Sequence, residues 1–216
     1  MLILASASKP RSCLLKKTGI SHDVIISDID EDSYKEDSIL KLVERLSFAK
    51  ADCVAKKIIS LPSSKTDYSS ISAVLACDSL FEFEGEYFGK PKSPDEAFER
   101  WRKLSNSSGN IVTGHCLMYR DRNTYKNKDI NFDRIIRENI TTKIYFNKLT
   151  DKDIWDYIAT KEPMSCAGGF SLEGVGGMFI KKIEGCYSNV IGLSLPWLRN
   201  ALIDINLFKK ITLGNI

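Results

Sequence analysis

No run of about 18 apolar residues occurs in this chain, so nothing in it is long enough to cross a bilayer as a helix. The first apolar stretch is short and is soon broken by Lys9, Arg11, Lys16 and Lys17, which is not the pattern of a signal peptide. Histidine is scarce: His22 and His115 are the only two, and neither stands at metal-ligand spacing from another histidine or a cysteine. The six cysteines (Cys13, Cys53, Cys77, Cys116, Cys166, Cys186) contain no C-x-x-C pair, which argues against a zinc site and against a disulfide framework. They read instead as small buried hydrophobes in a reducing compartment, so a cytoplasmic location is expected. Neither G-x-S-x-G nor G-x-x-x-x-G-K-[ST] is present, which removes the α/β-hydrolase and P-loop readings. Excess charge of one sign is also missing. A net charge of +3 suits an anionic ligand and does not fit a protein that coats nucleic acid.

What is present is enough for a substantial core. With 216 residues, 43% of them hydrophobic, the chain can build one sizeable core or two small lobes. Met1 to Ala5 reads as a buried strand. A serine-rich turn follows, then a short helix with Pro10 in its first turn, a serine at its cap and Gly19 at its stop. Val24 to Ile26 is predicted as a second strand. Ile39, Leu42, Val43, Leu46, Ala49, Cys53 and Val54 follow a helical period, predicting a long helix over Ser38 to Ile58. Ser60 to Ser72 reads as a surface loop.

Ala73 to Cys77 is a continuous apolar run, as in a strand buried on both faces, and Asp78 is expected to end it. Leu80 to Phe88 alternates about Gly85 like a hairpin. Ser93-Pro94-Asp95-Glu96 is a capping-box start to a helix whose buried stripe is Ala97, Phe98, Trp101 and Leu104. Strands are predicted at Ile111 to Tyr119, Ile140 to Phe146 and Met178 to Ile183, with a polar excursion at Arg120 to Asp133. A helix capped by Thr150 and a closing helix over Ser194 to Ile203 complete the alternation, which defines an α/β chain.

Five features could carry chemistry. The turn Ser6 to Arg11 joins serine hydroxyls and an arginine fork to the partial positive charge of a helix start, which is a phosphate cradle or else a plain capped helix. Asp78 at a strand end lies where open α/β sheets place ligands; it could hold a divalent metal, act as a general base, or be a turn residue. Lys50 shares the apolar face of Val43, Leu46, Cys53 and Val54, and either snorkels to water or meets phosphate. Gly89-Lys90-Pro91 offers close backbone approach and a point charge, or ordinary turn chemistry. Glu31, in the acidic stretch Asp28 to Asp32, could join Asp78 on Mg²⁺ or sit in a solvated loop.

The order of these features carries more than any one of them. Leu2-Ile3-Leu4-Ala5-Ser6-Ala7-Ser8, Asp28-Ile29-Asp30-Glu31, Leu46-Ser47-Phe48-Ala49-Lys50-Ala51 and Cys77-Asp78-Ser79 come in one succession. Gly89-Lys90-Pro91, the segment Ser108 to Gly114, Ala167-Gly168-Gly169-Phe170, Glu173-Gly174 and Asn189 to Leu195 continue it. Along nearly its whole length the chain resembles the Maf family of nucleoside triphosphate pyrophosphatases. The resemblance implies a single domain over residues 1–216 with a mixed twisted sheet and two lobes around a deep cleft, related to the inosine triphosphatases. It implies hydrolysis between the α- and β-phosphates of a nucleoside triphosphate, a house-cleaning of the nucleotide pool, and a divalent cation, Mg²⁺ or Mn²⁺. Asp78 matches the family's proton acceptor. Ser6, Ser8, Arg11, Glu31, Lys50 and Lys90 match positions lining the phosphate and metal site, with Glu31 and Asp78 on the metal. Members are often homodimers; no membrane or nucleic-acid partner is implied.

The departures bear on substrate and on activity. Where the family often has Ser-Pro-Arg-Arg, this chain has Ser8-Lys9-Pro10-Arg11-Ser12, so one arginine is lost and Lys9 stands by to supply charge. That loss keeps open a second reading, a nucleotide-binding regulator of cell division with weak or no catalysis. Cys166-Ala167-Gly168 and Glu173-Gly174 look more like the branch acting on 7-methyl-GTP than the branch acting on dTTP and UTP. Glu173 could accept hydrogen bonds from a guanine edge. Ser79, where many members have threonine, matches neither branch well and is the second residue expected to bear on specificity.

Overall fold

The computed structural model describes residues 1–60, 71–120 and 131–212. Most of the loop expected over Ser60 to Ser72, and most of the excursion expected over Arg120 to Asp133, lie outside them. The elements in chain order are β1 (Leu2–Leu4), α1 (Lys9–Lys17), β2 (His22–Val24), α2 (Ile39–Ser60), β3 (Ala73–Phe83) and β4 (Glu86–Phe88). They continue with α3 (Pro94–Leu104), β5 (Ser108–Tyr119), β6 (Arg134–Phe146), α4 (Asp151–Ala159), β7 (Ile180–Glu184), α5 (Tyr187–Val190), α6 (Leu195–Asp204) and α7 (Phe208–Thr212).

The strands form a mixed sheet in the order β2-β1-β3-β5-β6-β7, with β4 paired to β3. β1 is parallel to both β2 and β3, with Leu4 opposite Val24 on one side and Leu75 on the other. β4 and β7 are antiparallel to β3 and β6. The chain divides into two compact units. The first holds Met1–Asp78, Gly114–Asn139 and Leu193–Ile216; the second holds Ser79–Thr113 and Ile140–Gly192. Strands β3, β5 and β6 each contribute residues to both.

In the first unit, the apolar runs of β1 and β3 meet the buried face of α2. Ile3, Ala5, Val74 and Ala76 pack with Ala51, Val54, Ala55 and Ile58, closed by Cys116 and Met118 of β5. The second unit is built on aromatics. Phe81, Phe88, Trp101, Phe146, Tyr157 and Phe170 are all buried there. Phe81, Phe146 and Phe170 meet edge to face at 5.4–6.0 Å between centroids, the arrangement the ring quadrupole favours.

Most element starts follow the caps seen in the sequence. Ser93 Oγ accepts from Glu96 N at 3.1 Å, although the Glu96 carboxylate reaches the Lys92 amide instead of closing the box on Ser93. Thr150 and Asp153 form a complete capping box on α4. Ser194 Oγ caps α6.

Two readings need correction. Asp78 does not end its strand: β3 runs on to Phe83, because Phe81 and Phe83 continue the alternation into the aromatic core of the second unit. The second strand is His22–Val24, not Val24 to Ile26. Val24 and Ile26 are 47% and 48% exposed, so apolar character there does not mark burial.

Candidate active site

Within the first unit, the structure brings six of the expected residues into two groups. The first is the turn between β1 and α1. Ser8 occupies the N-cap position of α1 but its side chain accepts nothing there. Its amide donates instead to Ser6 Oγ at 3.2 Å, and the Arg11 guanidinium donates to the same oxygen at 3.1 Å. With both lone pairs engaged, Ser6 has its O–H left to offer a ligand. Ser6 and Arg11 are both buried, Ser8 is half-buried and Lys9 is exposed. This is more than a plain capped helix: a buried arginine is fixed by a serine beside a helix N-terminus, which favours an anion.

The second group is Glu31, Lys50 and Asp78. Lys50 does not snorkel to water. It is 8% exposed on the apolar face of α2, and its Nζ lies 2.5 Å from Asp78 Oδ1 and 2.8 Å from Glu31 Oε1. Asp78 is 5% exposed in the middle of β3, while the Glu31 side chain is open to solvent on a short turn (Glu31–Ser33). A buried ammonium needs a partner, and here it has two carboxylates.

Cys77 registers how these charges gather around the strand. Burial pushes its thiol up to about 12; the Arg11 cation pulls the other way, Asp78 adds to the rise and Lys50 opposes it. Cys77 is therefore a packed thiol beside the charged groups and not a nucleophile.

The two carboxylates meet on the Lys50 ammonium, and oxygens of this kind are also donors that a hard divalent cation takes. Among the described residues no group of three or more His, Cys, Asp or Glu side chains could hold a metal by itself. A cation held by Asp78 and Glu31 would need its remaining oxygens from water or from the ligand, as Mg²⁺ does in phosphate sites.

The other expected residues belong to the second unit. Ser79 Oγ shares a hydrogen bond with Thr113 Oγ1 at 2.9 Å. Lys90 is exposed, in a turn held by Arg100, whose Nη1 donates to Gly89 O at 2.8 Å. Its charge bears on Cys166: burial raises that thiol, the Ser165 hydroxyl opposes the rise, Glu162 adds to it and Lys90 opposes it. Glu173 is exposed at the tip of the glycine-rich stretch.

One residue held against this stretch escaped sequence reading. The Glu162 carboxylate accepts from Tyr157 OH at 2.7 Å and from the amides of Val175 and Gly176, both at 2.9 Å. The available signal was the density of glycine at Gly174, Gly176 and Gly177, which bares amides that need an acceptor.

Residues 1–205 match the family of Maf-like proteins. The chain is 49% identical over 202 residues to a nucleoside triphosphate pyrophosphatase of Prochlorococcus marinus, covering 94% of this chain and 96% of that one. It is 44% identical over 200 residues to a nucleoside triphosphate pyrophosphatase of Synechococcus sp. (strain CC9605), covering 93% and 100%. Among solved structures, the Ham1 protein of Staphylococcus aureus aligns with a TM-score of 0.40 and 17% identity, over 67% of this chain and 71% of that one, a likeness too slight to argue from.

Proposed function

The chain belongs to the family of Maf-like proteins and is an acid anhydride hydrolase of the nucleoside triphosphate pyrophosphatase class, and we propose that Asp78 is its general base. The observation that carries this reading is the buried Asp78–Lys50 pair, with Glu31 on the same ammonium. A carboxylate has up to four lone-pair sites, so one ammonium contact leaves Asp78 able to accept a proton from water.

In this reading the water attacks the α-phosphorus. The bond to the oxygen bridging to the β-phosphorus breaks, and a nucleoside monophosphate and pyrophosphate leave. Asp78 takes the proton from the water. Arg11 and Lys50, with Lys9, neutralise phosphate charge, while Ser6 and Ser8 orient the phosphate oxygens. Preorganised charge of this kind supplies most of the rate in phosphoryl chemistry. Asp78 and Glu31 would hold a divalent cation, Mg²⁺ or Mn²⁺, which when bound would neutralise further charge on the triphosphate.

We assign choice of base to Ser79 and Glu173. Glu173 offers only acceptors, which suits the N–H groups of a guanine edge. Together with Cys166-Ala167-Gly168, this favours 7-methyl-GTP over dTTP and UTP.

A panel of canonical and modified triphosphates, assayed with Mg²⁺ and Mn²⁺ for pyrophosphate and orthophosphate separately, tests the proposal. Pyrophosphate from a guanine triphosphate supports it. Orthophosphate as the product would indicate a phosphatase. Binding without any turnover would indicate a nucleotide-binding regulator.

A further inference from the structure

Glu162 is tied to the loop that carries Glu173, although it was not expected to matter. It opens a short turn (Glu162–Ser165) directly after Lys161, whose φ of +61° reverses the chain at the end of α4. The reversal sends the Glu162 carboxylate toward a second turn, Val175–Phe179, whose first amides have no partner within their own turn. Oε2 accepts from Val175 N, and Oε1 accepts from both Gly176 N and Tyr157 OH. A carboxylate at the start of a helical turn is matched to the bared N–H groups both by hydrogen bonding and by charge.

The anchorage is rigid on the Glu162 side. Tyr157 is 1% exposed, and its ring meets Trp101 at 5.3 Å and Phe179 at 5.1 Å. The approach on the other side is close. A Cβ on Gly174 would stand 2.0 Å from Glu162 Oε2, so a side chain there would push the Glu162 carboxylate aside. The stretch is fixed upstream as well, where Trp101 Nε1 donates to Gly169 O at 3.0 Å. Between these two anchors lie Phe170 to Gly174, with Glu173 exposed among them.

We propose that Glu162 is a positioning residue for substrate selection: by holding the Val175 and Gly176 amides against Tyr157, it fixes where the Glu173 segment presents itself to the base. The inference rests on the reading of Glu173 as a base-selecting residue, but its own test does not depend on that reading alone. Replacing Glu162 by glutamine sets an NH₂ group against at least one of the two amides and leaves a donor unsatisfied.

The experiment compares Glu162→Gln, Tyr157→Phe and Glu173→Gln over the triphosphate panel, with hydrogen exchange read at the Val175 and Gly176 amides. Glu162→Gln should raise KM for the preferred triphosphate about tenfold, with kcat changed less than about twofold, and should lower the preference ratio by the same factor. Protection at both amides should fall with it. Tyr157→Phe keeps the ring, removes one donor to Glu162, and should give a smaller change in the same direction.

If Glu162→Gln shifts preference and exchange while Glu173→Gln shifts nothing, Glu162 positions the loop and another loop residue reads the base. If Glu173→Gln shifts preference and Glu162→Gln does not, the positioning role is wrong and the Glu173 reading stands. Unchanged preference in both variants removes both. A uniform fall in kcat for every triphosphate after Glu162→Gln would mark a merely structural role and overturn the proposal.

Discussion

Lys50 Nζ and Asp78 Oδ1 stand 2.5 Å apart, both side chains buried, joining the middle of α2 to the middle of β3. Each residue makes the other tolerable inside the first unit. Charges of this kind are expensive to bury singly, and removing one partner of a buried pair costs about 3 kcal/mol or more.

Lys50→Met should therefore lower the stability measured by urea unfolding by about 3 kcal/mol, since Asp78 is left buried without its cation. The double variant Lys50→Met/Asp78→Asn should recover much of that loss. The cycle would be strongly non-additive, as expected of groups in contact. Additive losses would mean the pair is not coupled.

Gly114 on β5 sets where α2 lies. A Cβ there would stand 2.2 Å from Val43 O and 2.4 Å from Val43 C, so strand backbone packs directly on helix backbone. Gly114→Ala should destabilise by about 3 kcal/mol, at the upper end of overpacking costs, because backbone cannot rotate away as a side chain can. Lys50 lies two helical turns beyond Val43, so pyrophosphate release should fall as well. An unchanged urea midpoint would contradict the contact.

The Glu162 carboxyl should govern how the turn at Val175 and Gly176 behaves in acid. Burial alone would raise it, but hydrogen bonds from Tyr157 and from the Gly176, Val175 and Ser171 amides hold it below the ordinary carboxylate range. Its folded value lies below its unfolded one, so the stabilisation is complete above about pH 4.3 and is lost as pH falls through the lower folded value. Protection of the Val175 and Gly176 amides, corrected for intrinsic exchange, should hold from neutral pH to about 4.5 and decline only below that. A decline centred near neutrality would point to another group.

Much of this was legible in the sequence where one physical signal dominated. The long helical period from Ile39, the apolar run before Asp78, the Thr150 and Ser93 caps and the hairpin about Gly85 all reappear within a few residues. Tertiary contacts decided the rest. Nothing local says that β3 continues past Asp78, because that depends on Phe81 and Phe83 finding an aromatic core. Ser8 is at the cap position, yet the oxygen that matters belongs to Ser6, where it receives Arg11. The short helices α5 and α7 have too few turns to show a period. Lys50 does not snorkel, and the carboxylates that hold it, Asp78 and Glu31, are too distant in sequence to be read from its helix face.

The central claim is that Asp78, held by Lys50, takes the proton from the attacking water. Its most direct test is pyrophosphate release by Asp78→Asn, compared with the unaltered chain on the preferred triphosphate with Mg²⁺, after circular dichroism has shown that the variant is folded. The account predicts a loss in kcat of about 100-fold or more, the range expected for a general base. Full pyrophosphate release by the folded variant would contradict it.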